Sequence, residues 1–325
     1  MNKDKFLEKI VIIDYGSQFT QLIARKIREC GVYSEIISFN KIKKITNDQK
    51  IKGIILSGGP LTITKKKSEA LNSNIINLNV PILGICYGHQ ILAKKFGGKI
   101  KISKEREFGH AIVKSKLKSS ITKNFFKNKK TLVWMSHQDI VHTIPSGFKK
   151  VAYSDNSRNA IISNENKKYY GVQFHPEVSH TQNGKIIIKN FLFGICKIKK
   201  TWNLKRQKKI LITDIRKKVK NNKVICALSG GVDSSVVALL LKRAVGNKLT
   251  CIFINTGLLR KNEEREVINN FKKKLKLKLI YIDASKIFLS RLKNVNNPET
   301  KRKIIGKLFI QLFEKYAKKI KNVKF

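Results

Sequence analysis

At 325 residues, with 69 Lys+Arg against 21 Asp+Glu, the chain exceeds the usual length of one domain, so two domains with separate cores are expected. Its net charge of +48 divides evenly, +24 in residues 1–200 and +24 in residues 201–325, and rests on 58 lysines against 11 arginines. A nucleic-acid site would be local and favour the planar arginine fork, so the charge reads as a global lysine bias with weak, salt-sensitive polyanion binding and no specific nucleic-acid partner.

Five cysteines without a C-x-x-C pair argue against a disulfide framework and a zinc site. No apolar run reaches membrane-spanning length, and a soluble cytoplasmic protein with no membrane partner is expected.

Compact apolar runs at 10–13, 51–56 and 80–85, bounded by Gly, Pro or Asn, predict buried parallel strands. Between the first two, residues 20–29 place Leu22, Ile23 and Ile27 on one helical face. Such alternation predicts an α/β sheet whose loops at the strand C-termini carry the site. Residues from about 104 to 166 hold more turns and aromatic strand segments, such as 132–135, and predict antiparallel additions to the sheet. Near 197–209 the pattern lapses into a basic linker or linking helix. A second α/β unit follows: strand 224–228, loop 229–233, helix 234–244, strand 249–255, helix 263–275, strand 279–283 and a helical pattern over 304–320. Lysine runs such as 65–67 read as solvated surface.

Gly84-Ile85-Cys86-Tyr87-Gly88 falls between a strand and a helix, the setting of a nucleophile elbow. The glycines relieve crowding, and the helix would turn its positive end toward a sulfur that attacks as thiolate. By itself the pattern also fits an ordinary tight turn. Gly171-Val172-Gln173-Phe174-His175-Pro176-Glu177 adds a histidine behind a strand and an acid two residues on, which makes a Cys–His–Glu relay available. Ser57-Gly58-Gly59-Pro60 offers backbone N–H groups to an oxyanion. On residues 84–90 and 174–177 the chain resembles the class I (triad) glutamine amidotransferases. The resemblance implies that Cys86 forms a thioester with glutamine and releases ammonia, with His175 as base and Glu177 orienting it. It also implies an oxyanion and glutamine site at Gly58, Gly59, Tyr87, Gln90 and His137.

Ser229-Gly230-Gly231-Val232-Asp233-Ser234-Ser235 follows a strand and opens a helix, so backbone N–H groups and the helix dipole can surround an anion. It lacks the lysine of a Walker loop, and Gly-rich turns also occur as plain helix caps. The string resembles the PP-loop ATP pyrophosphatases. That likeness implies binding of ATP phosphates by these seven residues, a Mg²⁺ ion near Asp233, and adenylation of a substrate oxygen that ammonia then replaces.

The two halves together resemble the glutamine-hydrolysing GMP synthases. The supporting strings include Arg106-Glu107-Phe108-Gly109, Met135-Ser136-His137, Thr256-Gly257-Leu258-Leu259-Arg260 and Lys301-Arg302-Lys303. This implies amination of XMP to GMP with ATP and glutamine, and a mobile substrate loop at Lys301, Arg302 and Lys303. The expected organisation is an α/β chain: a class I glutamine amidotransferase domain over 8–200, then a partial Rossmann-like PP-loop domain over 201–325. Asn255 stands where the family usually has Asp, and His89 where Met is common. The family continues past the position of Phe325, so the PP-loop domain is expected to be incomplete, the dimerisation domain absent and the family's homodimer not formed. Some glutaminase activity but little GMP synthesis is the corresponding expectation. The alternatives are a chain acting as a glutaminase alone and an inactive fragment.

Overall fold

The structure is a computed structural model that describes residues 8–44, 48–60 and 71–325; the lysine run at 65–67 lies outside them. The chain divides into two compact units, Met1–Trp202 and Asn203–Phe325.

Among the described residues, the first unit is built on nine strands: β1 (Lys9–Asp14), β2 (Tyr33–Ser38), β3 (Ile51–Leu56), β4 (Ile82–Ile85), β5 (Lys99–Ser115), β6 (Lys130–Thr143), β7 (Lys149–Tyr153), β8 (Ile161–Asn164) and β9 (Tyr169–Val172). They form one sheet in the order β2-β1-β3-β4-β9-β8-β7-β5-β6. The β2 to β9 half is parallel, and the remainder is antiparallel. Period-two alternation explains why the central stretches of β1, β3 and β4 are apolar on successive residues: each has two faces to bury. In β1, Ile10 and Ile12 enter one core, while Val11 and Ile13 enter the other. Helices α1 (Thr20–Glu29) and α4 (Gly184–Lys189) cover the first face; α2 (Ser73–Ile76) and α3 (Tyr87–Lys95) cover the second. Each fully buried Ile or Leu adds roughly 1.5–3 kcal/mol of burial free energy.

Local details depart from the sequence pattern. The buried stripe of α1 is Ile23, Ala24 and Ile27, with Leu22 only partly covered, because at 3.6 residues per turn position 22 falls well outside that face. The first unit ends two residues later than expected. Trp202 belongs to it, stacking on Tyr33 with ring centroids 5.1 Å apart. Of the two readings of 197–209, linker or linking helix, residues from 204 on take the second, as helix α5 (Leu204–Val219), capped by Asn203 Oδ1, which accepts from the Lys205 and Arg206 backbone N–H groups.

The second unit has a three-stranded parallel sheet, β10 (Val224–Ala227), β11 (Leu249–Asn255) and β12 (Leu279–Asp283), in that order. Helix α6 (Val232–Val245) starts two residues earlier than the pattern placed it, so Val232 and Asp233 belong to its first turn. Helix α7 (Glu263–Ile268) gives way to a π-helical turn over Asn269–Lys274, and α8 (Ser285–Leu292) follows. Helix α9 spans Pro298–Ala317. Lys301, Arg302 and Lys303, expected on a loop, are therefore helical and exposed. Asn297 caps this helix through Oδ1, and Pro298 at its first position supplies a ready-made helical φ. No helix among the described residues is long and apolar enough to cross a membrane.

Candidate functional site

Four neighbouring parallel strands, β1, β3, β4 and β9, deliver their C-terminal ends to one edge of the sheet. From β4 the chain turns through Cys86 directly into α3. Cys86 adopts φ 52° and ψ −105°, a region that costs a non-glycine residue of order 1–3 kcal/mol and persists only where surroundings enforce it. They do so here: Cys86 N–H donates to the Val172 carbonyl at 2.8 Å, and Gly88 N–H to the Ser57 carbonyl at 3.0 Å. A Cβ on Gly84 would fall on the Gly88 carbonyl, and one on Gly88 would fall on the Leu56 carbonyl. Both positions need glycine because backbones meet there.

His175 is fixed from the backbone outward. Its N–H donates to the Trp134 carbonyl at 3.0 Å, and its carbonyl accepts from Thr181 Oγ1 at 2.6 Å. Its Nδ1 lies 2.8 Å from Glu177 Oε1, with both side chains buried. Because Glu177 binds the Nδ1 side, the other ring nitrogen is left for Cys86, which is near enough to raise the His175 pKa. Burial by itself would lower the His175 pKa. The Glu177 charge and the influence of Cys86 together outweigh it, and the imidazole is raised to about 10. Phe19 closes on the ring edge-to-face at 5.1 Å.

The Gly58-Gly59 turn after β3 sits beside this pair. A Cβ on Gly58 would stand 3.3 Å from His175 Cε1 and 3.3 Å from Ser17 Oγ, and one on Gly59 only 2.8 Å from the Tyr15 carbonyl. Ser57 Oγ holds the turn, accepting from Tyr15 N–H and donating to the Gly58 carbonyl. Two cavities, of about 220 and 320 Å³, share Gly59, Pro60, Cys86 and Ser136. Cys86 therefore stands at their junction, His175 lines the larger, and Tyr87, Gln90 and His137 line the smaller. A thiol, a protonated imidazole and a glycine turn around a cavity open to solvent can perform acyl transfer.

Several contacts at the site join residues of different strings. His137 Nε2 is 3.0 Å from Glu107 Oε2, at ion-pair distance though outside hydrogen-bond geometry; Ser154 Oγ donates to Glu107 Oε1. The Ser136 carbonyl accepts from Cys86 Sγ at 3.5 Å, and Gln173 Nε2 reaches the same sulfur at 3.9 Å. Gln173 was legible as part of the string ahead of His175, but its direction was not. His89 is fully buried against Gly171, away from the chemistry, and burial together with the His137 charge pushes its pKa down to about 3.

In the second unit, Gly231 caps α6, and Gly230 takes φ 83°, which only glycine adopts freely. The Ser235 hydroxyl donates to the Gly231 carbonyl at 2.6 Å and Ser234 to the same oxygen at 3.1 Å. Gly231 N–H and Ser234 Oγ both contact Ser229 Oγ. A Cβ on Gly231 would meet nothing closer than Ser229 Oγ at 3.4 Å, so the loop faces open space. Asp233 is exposed on the first turn of α6. Among the described residues no three His, Cys, Asp or Glu side chains gather into a metal site. Asn255 donates through Nδ2 to Glu264 Oε2 at 2.8 Å and accepts Gly257 N–H through Oδ1. An aspartate in that position would set two carboxylates against each other.

The profile described as "Glutamine amidotransferase class-I" matches residues 11–195, more than half of the chain. The chain belongs to the class I glutamine amidotransferases. A second profile, described as "NAD synthase", matches residues 204–306, and the parallel sheet with its Gly-rich turn is a unit of that PP-loop type. The chain is 47% identical over 319 residues to "GMP synthase [glutamine-hydrolyzing]" of Brachyspira hyodysenteriae, covering 98% of this chain and 62% of that one. It is 48% identical over 317 residues to the protein of the same name from Campylobacter hominis, covering 97% and 61%. The chain thus spans about three-fifths of the length of these relatives. Among solved structures, a Thermoplasma acidophilum protein described as a candidate GMP synthase subunit superposes with a TM-score of 0.51 at 31% identity, covering 59% of this chain and 94% of that one.

Proposed function

We propose that this chain supplies the glutamine-hydrolysing half and the ATP-binding loop of a cytoplasmic GMP synthase. The single observation that carries the reading is the junction at Cys86. A strained thiol lines the same cavity as His175 of the buried His175–Glu177 pair, with the Gly58-Gly59 turn beside it. The named relatives, matched over 98% and 97% of this chain, supply the substrate assignment. All five cysteines are free and buried, as suits a reducing compartment.

In this reading Cys86 thiolate attacks the side-chain amide carbon of glutamine. The backbone N–H groups of the Gly58-Gly59 turn and of Tyr87 at the start of α3 bind the developing oxyanion. As the C–N bond breaks, His175 gives its proton to the departing ammonia. It then takes a proton from water, which attacks the thioester and frees glutamate. Glu177 keeps the imidazole oriented and offsets its charge. Gln90 and His137 line the cavity that receives glutamine.

In the second unit, backbone N–H groups of residues 230–234 would receive the ATP phosphates. A single exposed carboxylate, Asp233, fits a Mg²⁺ ion that arrives on the nucleotide, since Mg²⁺ uses one or two carboxylates and the phosphates themselves. The ion would offset phosphate charge. ATP then activates the XMP oxygen that ammonia replaces.

The test uses the whole protein that carries this sequence, supplied with XMP, ATP, Mg²⁺ and either glutamine or an ammonium salt. Cys86→Ala should lose GMP formation from glutamine and keep it from ammonium. Ammonia release from glutamine with no GMP from either donor would instead identify a stand-alone glutaminase.

A further inference from the structure

Gln173 is completely buried directly after β9, and glutamine hydrolysis as described above makes no use of it. Its side-chain amide stands between two residues of the site. Nε2 is 3.9 Å from Cys86 Sγ, and Oε1 is 3.4 Å from Gln90 Nε2. The two ends of an amide are alike in shape, so the direction of such a chain has to come from its anchor. Here the anchor is the backbone carbonyl of Asp139, 2.6 Å from Gln90 Nε2. A carbonyl only accepts, which makes that atom of Gln90 the amino group. The atom of Gln173 facing it is then the oxygen, and the amino group of Gln173 is turned on the sulfur.

The neighbours of the sulfur divide by the form they favour. The Ser136 carbonyl, 3.5 Å away, accepts from a thiol and repels a thiolate. Gln173 Nε2 can only donate, and hydrogen bonds to an ionised acceptor are about twice as strong as neutral ones. We propose that Gln173 is a catalytic hydrogen-bond donor to the Cys86 thiolate, held in its donating orientation by Gln90 and the Asp139 carbonyl. The proposal rests on reading Cys86 as the glutaminase nucleophile. In the reactive state the sulfur carries its electron pair as a thiolate beside the protonated His175 imidazole, and the Gln173 N–H points at that pair without giving up its hydrogen. Gln90 thereby positions the donor as well as lining the glutamine cavity.

The experiment is alkylation of the protein by iodoacetamide without glutamine, followed across pH and read at the Cys86 peptide by mass spectrometry. Gln173→Met keeps length and volume but removes the donor. Its Cys86 rate at pH 7 should fall about three- to tenfold, and the pH profile should move to higher pH. Gln173→Glu retains the shape and sets a carboxylate against the sulfur, so its rate should fall further. A melting curve identifies which variants are folded, and packing loss alone does not move the pH profile. An unchanged profile in either folded variant overturns the proposal. Wild-type Cys86 reacting no faster than the other four cysteines would overturn the glutaminase reading first, and the proposal with it.

Discussion

His175 Nδ1 and Glu177 Oε1 are 2.8 Å apart although one residue, Pro176, separates them in the chain. Proline fixes that link at a φ near −65°, and burial of both side chains keeps water out of the pair. The charge of Glu177 makes a buried imidazole easier, not harder, to protonate.

His175 is consequently expected to remain protonated through neutral pH, with a midpoint near 10, as followed by NMR of labelled imidazole. A group whose pKa is raised on folding binds its proton more tightly in the native state. Its stabilisation is complete below about pH 6.5 and drains away as pH rises toward 10. His175→Ala should remove that slope from the unfolding midpoint and cost roughly 10²–10⁴-fold in glutamine turnover. A midpoint near 6.5 in the folded protein would contradict the pairing.

His89 behaves in the opposite sense. Its pKa is pushed down to about 3 by burial and by the His137 charge, so the unfolded chain binds the extra proton. Stability is lost as pH falls from about 6.5 toward 3, at up to about 1.4 kcal/mol per pH unit. Methionine, flexible and apolar, should fill the site against Gly171 without that penalty. His89→Met is expected to flatten the acid limb of stability measured by urea unfolding, and an unaltered acid limb would show that His89 is not its source.

The parallel half of the sheet was legible because β1, β3 and β4 bury both faces and advertise it as short runs rich in Ile, Leu and Val. The triad was legible because Cys86 and the His175–Glu177 pair each lie within a short string. What the sequence withheld depends on distance in the chain. Glu107 meets His137 across β5 and β6, and the direction of the Gln173 amide depends on the carbonyl of Asp139. Lys301–Lys303 were misread as a loop although Asn297-Pro298 just ahead of them is a helix start. That cap governs backbone shape whatever role the basic residues serve.

Gly231 has a φ of −71° and open space where a side chain would project. Valine is therefore expected to fold there, with its side chain occupying the volume that phosphates need. Gly231→Val should keep its melting temperature and its glutamine hydrolysis while losing ATP binding by calorimetry. ATP affinity equal to wild type would remove the loop from the nucleotide site. Gly230→Val differs, because it must enter a left-handed backbone conformation and would strike Val267; it should destabilise the second unit itself.

The central claim is that Cys86, and no other cysteine, converts glutamine to glutamate and ammonia. Ammonia released from glutamine at neutral pH should be measured for wild type, Cys86→Ala and Cys196→Ala. Cys196 is buried beside Gly53 with its thiol pKa pushed up by burial, so it serves as the matched control. The account predicts release by wild type and by Cys196→Ala, and none above the uncatalysed rate by Cys86→Ala; release by Cys86→Ala equal to wild type would contradict it.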